Sequence, residues 1–145
     1  MKMTNGEYAK YVKEKTPKSK TGADMLKAFL VGGLICCIGQ AILNGYTSLG
    51  METENAATAT SVSLVFLGAL LTGLGVYDNI AKFAGAGTLV PITGFANSVV
   101  SPALEFKSEG YVTGTGAKMF VIAGPVIVYG TTASVLYGII YCLVR

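Results

Sequence analysis

The sequence has no histidine and no tryptophan, only one arginine, and charged residues at just 13% of its 145 positions. Without histidine it lacks the commonest metal ligand and general base. Its three cysteines, Cys36, Cys37 and Cys142, sit in apolar runs rather than at metal-ligand spacing and read as small buried packing residues. No carboxylates pair at depth, so the pattern holds neither nucleophile with base nor metal site. A non-enzyme with no cofactor and no metal is expected. The shortage of charge also excludes a soluble fold. At 52% hydrophobic residues and a mean hydropathy of +0.57, a 15.0 kDa globule could not cover itself with polar surface. The solvent is lipid, and 145 residues hold three or four passes of about 20 residues with no room for a separate soluble domain.

The charge that is present is unevenly placed. Residues 1–27 carry seven lysines (Lys2, Lys10, Lys13, Lys15, Lys18, Lys20 and Lys27) against Glu7, Glu14 and Asp24, a balance of +4, while the remainder carries −1. A basic tail beside a membrane segment fixes orientation by the positive-inside effect and attracts anionic headgroups. The tail side is therefore expected to be cytoplasmic. With no arginine and only Tyr8 and Tyr11 available for stacking, the tail is not a nucleic-acid arm. The polar region before the first apolar run is too long for a secretory signal and no small-residue cleavage site follows, so that run reads as a retained helix.

Three spans are expected, over about 28–49, 56–77 and 119–143. In the first, Gly32, Cys36 and Gln40 share one face and Gly33, Cys37 and Ala41 the next, which predicts close packing against a neighbour. Gln40 is expected to satisfy itself in an interhelical hydrogen bond, with a role in transport as the alternative. The acidic turn from Gly50 to Glu54 lies opposite the basic tail. Asp78 and Lys82, four apart, suit either an interfacial ion pair or a pore mouth. Arg145 is placed to anchor the last span at an interface.

Between the second and last spans lies a broken apolar segment, 78–106. No charge occurs between Phe83 and Leu104, yet Gly85, Gly87, Pro91 and Gly94 interrupt any single helix. We read two half-helices, about Asp78–Ala86 and Pro91–Phe106, since proline is tolerated in a first helical turn. Residues 87–90 would be unwound. Such backbone survives at membrane depth only when buried in protein or lining a wet cavity. Half-helix ends can then meet an anion, with the amides near Gly94 joined by Thr88, Thr93, Asn97 and Ser98. A glycine-rich packing contact or a simple kink is the competing reading. GAGTLVPITG is no dinucleotide fingerprint, because Val90 takes the third glycine's place.

The fold class is thus an all-α integral membrane protein with three full transmembrane helices plus a broken re-entrant hairpin, the alternative being four spans with a discontinuous third. Re-entry would put ten lysines inside and Arg145 outside, whereas a full crossing would put nine basic residues inside with Lys107 and Lys118 outside. That difference does not decide between them.

FLVGGLICCIGQ (Phe29 to Gln40), LTGLGVYDNIAKFAGAGTLVPITGFANS (Leu71 to Ser98) and ALEFKSEG (Ala103 to Gly110) together resemble the stage V sporulation protein AC family, over about Lys27 to Leu143. The basic tail ahead of these blocks separates the AC type from its shorter AE-type paralogue. Pro102 and Pro125 depart from the family pattern and put helix continuity in question locally. The resemblance implies a channel-forming subunit in the forespore or spore inner membrane, with tension among its expected gating stimuli. The transported solutes would be dipicolinate and calcium. The implied partners are the AE-type paralogue and a soluble AD-type subunit that binds dipicolinate, in a homo- or hetero-oligomer. A planar dianion suits a lining of amides and hydroxyls from which it can leave. The candidate path is accordingly Gly85, Gly87, Thr88, Pro91, Thr93, Gly94, Asn97 and Ser98, with Asp78, Lys82 and Lys107 as candidate pore-mouth charges. A non-conducting scaffold for the soluble partner is the alternative.

Overall fold

The computed structural model describes residues 4–16 and 20–144, and within them the chain is helical without a strand. Lys2, Lys18 and Arg145, weighed above for orientation and anchoring, lie outside the described residues. Helix α1 (Asn5–Lys15) was not expected in the tail. Its start is fixed by Thr4, whose backbone N–H and hydroxyl both donate to the Glu7 carboxylate at 2.9 Å, a T-x-x-E arrangement legible in the sequence. Those bonds, the backbone one first, hold the Glu7 carboxyl below its ordinary value. No residue of α1 is buried.

Helix α2 (Thr21–Ser48) and helix α3 (Thr53–Gly73) form an antiparallel hairpin whose turn uses Gly50 at φ +88°. Together with Tyr111–Val144, they are the three helical stretches long and apolar enough to cross a bilayer among the described residues. α3 is the centre of the molecule. Ala56, Thr60, Leu64, Gly68 and Thr72 recur every fourth residue along it and are all buried. Such a stripe of mostly small residues lets neighbouring backbones come close. The Tyr46 and Ser63 hydroxyls join α2 to α3 at 2.8 Å.

The interruption lies where the glycines and Pro91 put it. Helix α4 (Val76–Ala84) follows Gly75, at φ +69°, and gives way to a 3₁₀ turn over Gly85–Thr88. Leu89 and Val90 are non-helical, and helix α5 (Pro91–Glu105) begins with proline at its first position. The turn is more ordered than expected, since only two of the four residues 87–90 leave helical geometry. α5 runs beside α3 in the same direction: Gly68 faces Thr93 and Ala96, Thr72 bonds Asn97, and Thr72 shares a cavity with Ser101 and Glu105.

A 3₁₀ turn (Lys107–Glu109) and a π-helical turn (Tyr111–Gly116) lead into helix α6 (Phe120–Val144). Gly114 is buried there because its α-carbon packs under the Phe106 carbonyl. Pro102 lies inside α5 and Pro125 inside α6, so neither stops its helix. Membrane helices tolerate proline because neighbours and hydroxyl side chains take over the freed groups. The cysteines correct the sequence reading, for all three are exposed rather than buried. A helix apolar on every side gives no sign of which face meets protein and which meets lipid.

Candidate functional site

The break is built from close backbone contacts rather than from an open channel wall. Gly87 is buried on α2: a Cβ added to it would lie 2.5 Å from the Ala28 carbonyl oxygen, so only glycine fits. Gly32, one turn further along α2, faces the Gly87 carbonyl, and a Cβ there would meet it at 3.2 Å. Of the two small-residue faces expected to pack closely in the first span, only Gly32 makes such a contact, while Gly33, Cys36, Cys37, Gln40 and Ala41 are exposed. Gly85 opens the turn at φ +53°, a conformation L side chains rarely adopt, and is itself exposed. A Cβ on Gly94 would lie 3.0 Å from the Thr88 carbonyl oxygen, which folds the first turn of α5 back against the 3₁₀ turn.

Hydrogen bonds then fix the polar members. The Thr88 hydroxyl donates to the Gly85 carbonyl at 3.0 Å, and the Thr88 carbonyl accepts the Tyr77 hydroxyl at 2.8 Å. Asn97 accepts the Thr72 hydroxyl at 2.9 Å, and Ser98 donates to the Phe95 carbonyl at 2.8 Å. Thr93 differs. It is 6% exposed, and among the described residues its Oγ1 is the buried side-chain polar atom left without a partner. The cause is its place in the helix. A threonine usually turns its hydroxyl to the carbonyl four residues back, as Thr60 and Thr72 do, but that residue is Leu89, outside α5. Ile92 and Thr93 also occupy first-turn positions, whose amides have no intrahelical acceptor.

The charged candidates spread over separate places. Asp78 lines a cavity of about 460 Å³ with Thr72, Ser101, Leu104 and Glu105. Lys82 lines another of about 440 Å³ with Thr21, Asp24 and Gly85, while the neighbouring Lys27 ammonium lies 5.0 Å from the Phe83 ring. Asp78 and Lys82 thus diverge rather than pair. Lys107 is exposed in the 3₁₀ turn after α5. Gln40 donates to Asn44 at 2.9 Å within α2, not across to another helix, because Asn44 supplies an acceptor one turn away. Tyr77, Thr72 and Ala28, which hold the break in place, were not singled out from the sequence. Only Tyr77, a polar aromatic beside the glycines, carried a signal that could have been noticed.

A family model described as SpoVAC/SpoVAEB sporulation membrane protein matches residues 24–140. The chain belongs to this family. It is also 49% identical over 141 residues to the Stage V sporulation protein AC of Bacillus subtilis (strain 168), which covers 95% of this chain and 94% of the relative. No solved structure matches it. The part shared with SpoVAC/SpoVAEB proteins contains the whole of α3, α4 and α5 and therefore every residue of the break, whereas α1 lies ahead of it. The chain is a sporulation membrane protein, and SpoVAC/SpoVAEB proteins are not a known enzyme family.

Proposed function

We propose that this chain is a channel-forming subunit of a membrane complex that moves dipicolinate with calcium across the spore inner membrane, inward during sporulation and outward during germination. The observation that carries this reading is the break itself, where α5 starts inside the apolar segment with Thr93 Oγ1 buried and unpartnered in its first turn. An orphaned hydroxyl costs about 1–3 kcal/mol, a burden explained by a partner that is present only when the path is open. A half-helix N-terminus adds partial positive charge for an anion. Gly87 and Thr88 are closed off by α2 and Tyr77, which on this reading makes the arrangement a shut state. Few elements surround the break in one chain, and the path is therefore assigned to an oligomer, with the AE-type paralogue and the AD-type soluble subunit as partners.

The same geometry favours re-entry. Asp78, near the start of the broken segment, and Glu105, at its end, border one cavity, and α5 runs parallel to α3 instead of returning beside it. Both ends would then lie on the tail side, taken as the spore core. In a background lacking the three cysteines, single cysteines at 105–118 should label from the tail side. Labelling from the opposite side establishes a full crossing.

Thr93→Val is the first functional test, because it removes the hydroxyl without touching the glycine contacts. The reconstituted variant should assemble normally and lose dipicolinate flux. Unchanged flux sinks this assignment of Thr93. Gly87→Leu and Gly94→Leu should block accumulation in spores, and each must be shown to reach the membrane, since both glycines are tightly packed. The second reading, a scaffold that docks the soluble partner, draws on the wholly exposed α1 and on the exposed Lys107–Glu109 turn. Assembly of the complex without any flux would select it.

A further inference from the structure

A cavity of about 180 Å³ lies between α2, α3 and α4 and ends on Thr93 of α5, at the back of the break. α2 contributes Val31, Leu34, Ile35 and Ile38. α3 contributes Leu64, Leu67, Gly68 and Leu71 in the same i, i+3, i+4, i+7 spacing, so one continuous apolar face of each helix turns toward the gap. Tyr77, Ile80 and Thr93 close the inner end. Depth and mouth are distinguishable by exposure. Leu64 and Tyr77 are 7% and 4% exposed, whereas Leu34, Ile38 and Leu67 are 60%, 44% and 37% exposed. The rim residues fall in the middle stretches of two helices long enough to cross a bilayer, so the cavity opens at hydrocarbon depth.

The lining chemistry restricts the occupant. Tyr77 spends its hydroxyl on the Thr88 carbonyl, the Thr93 hydroxyl is fully covered, and the cavity surface is apolar throughout. A water there would lack the two to four polar partners that hold buried water, and an anion or lipid headgroup would fare worse. Dry apolar cavities of about 150 Å³ take up benzene-sized molecules. We propose that this cavity is a binding site for the acyl chain of a bilayer lipid, which enters between Leu34, Ile38 and Leu67 and reaches Leu64 and Tyr77. The site rests on the chain's place in a membrane and not on the channel reading, and it stands or falls without any flux measurement.

The full chain is reconstituted in vesicles of phosphatidylcholine carrying a photoactivatable diazirine near the end of one acyl chain, and labelled residues are mapped by mass spectrometry. Leu64 and Tyr77 should be labelled several-fold above Ala56 and Ala84, which are 0% and 2% exposed but lie outside the cavity. Filling the site with Val31→Phe and Ile80→Phe should remove that label while Leu34, on the rim, keeps its own. Labelling of Leu64 and Tyr77 no higher than that of Ala56 and Ala84 means the cavity is dry or covered by neighbouring protein, and overturns the proposal. So does label that survives in the filled variant. Should the double variant misfold, Ile80→Phe alone is read the same way.

Discussion

Among the described residues four threonines are buried, Thr60 and Thr72 at 8% exposure, Thr88 at 4% and Thr93 at 6%. Three donate to a carbonyl, Thr60 to Ala56 at 2.8 Å, Thr72 to Gly68 at 2.7 Å and Thr88 to Gly85 at 3.0 Å, while Thr93 donates to none. Valine replaces threonine with little change of shape, so the series isolates the hydroxyl. Removing a bonded hydroxyl should cost about 0.5–1.5 kcal/mol. Removing the orphan should release its desolvation penalty, so that Thr93→Val stabilises the chain by about 1–3 kcal/mol. Sign, not size, is the readout. Unfolding of the four variants by SDS titration in mixed micelles, followed by helical circular dichroism, should place Thr93→Val above the parent and Thr60→Val below it. A Thr93→Val variant that is destabilised like Thr60→Val would refute the reasoning, for the hydroxyl must then have a partner in the resting protein.

Glycine contacts give a second pair of opposite signs. Gly87→Ala would force the turn and α2 apart by about 1 Å and cost about 1–3 kcal/mol, whereas Gly33→Ala meets open space and should gain up to about 1 kcal/mol from helix propensity in the same titration. Tyr77→Phe strips the buried Thr88 carbonyl of its donor, so the loss should reach about 1–3 kcal/mol and amide exchange at Leu89 should accelerate. Glu7 has a carboxyl lowered by its bonds from Thr4, so its support of α1 is complete above the ordinary carboxylate value and fades as pH falls through the lowered one. Amide shifts of residues 4–10 should follow that titration, and Glu7→Gln should abolish the pH dependence.

How much was legible depends on which physical constraint wrote the residue. Gly85, Gly87 and Pro91 obey backbone rules that hold in lipid as in water, and they located the break to within two residues of where α4 ends and α5 begins. The Gly32 contact was likewise foreseen as close packing, though its partner was not. Burial was not legible. In water, polarity marks the outer face of a helix, but α2 is apolar on all sides, so exposed Cys36 and Cys37 look the same as packing residues. Gln40 was misassigned for a related reason: an apolar setting demands a partner but does not say that Asn44, on the same helix, will serve. The T-x-x-E spacing of Thr4 and Glu7 does spell out the start of α1, although only the charge of Glu7 entered the sequence reading.

The last helix has a different bearing. In α6 only Ala123 is buried, and every described residue beyond Gly124 is exposed. The contacts that define the break all lie between Ala28 and Asn97, so none of them involves α6. Folding of the inner bundle need not wait for the C-terminal segment, which enters the membrane as a late addition to a finished core. Nascent chains stalled on a linker long enough to carry residues 1–124 clear of the ribosomal exit tunnel should already resist proteolysis around Gly87, and lengthening them through α6 should change that resistance little.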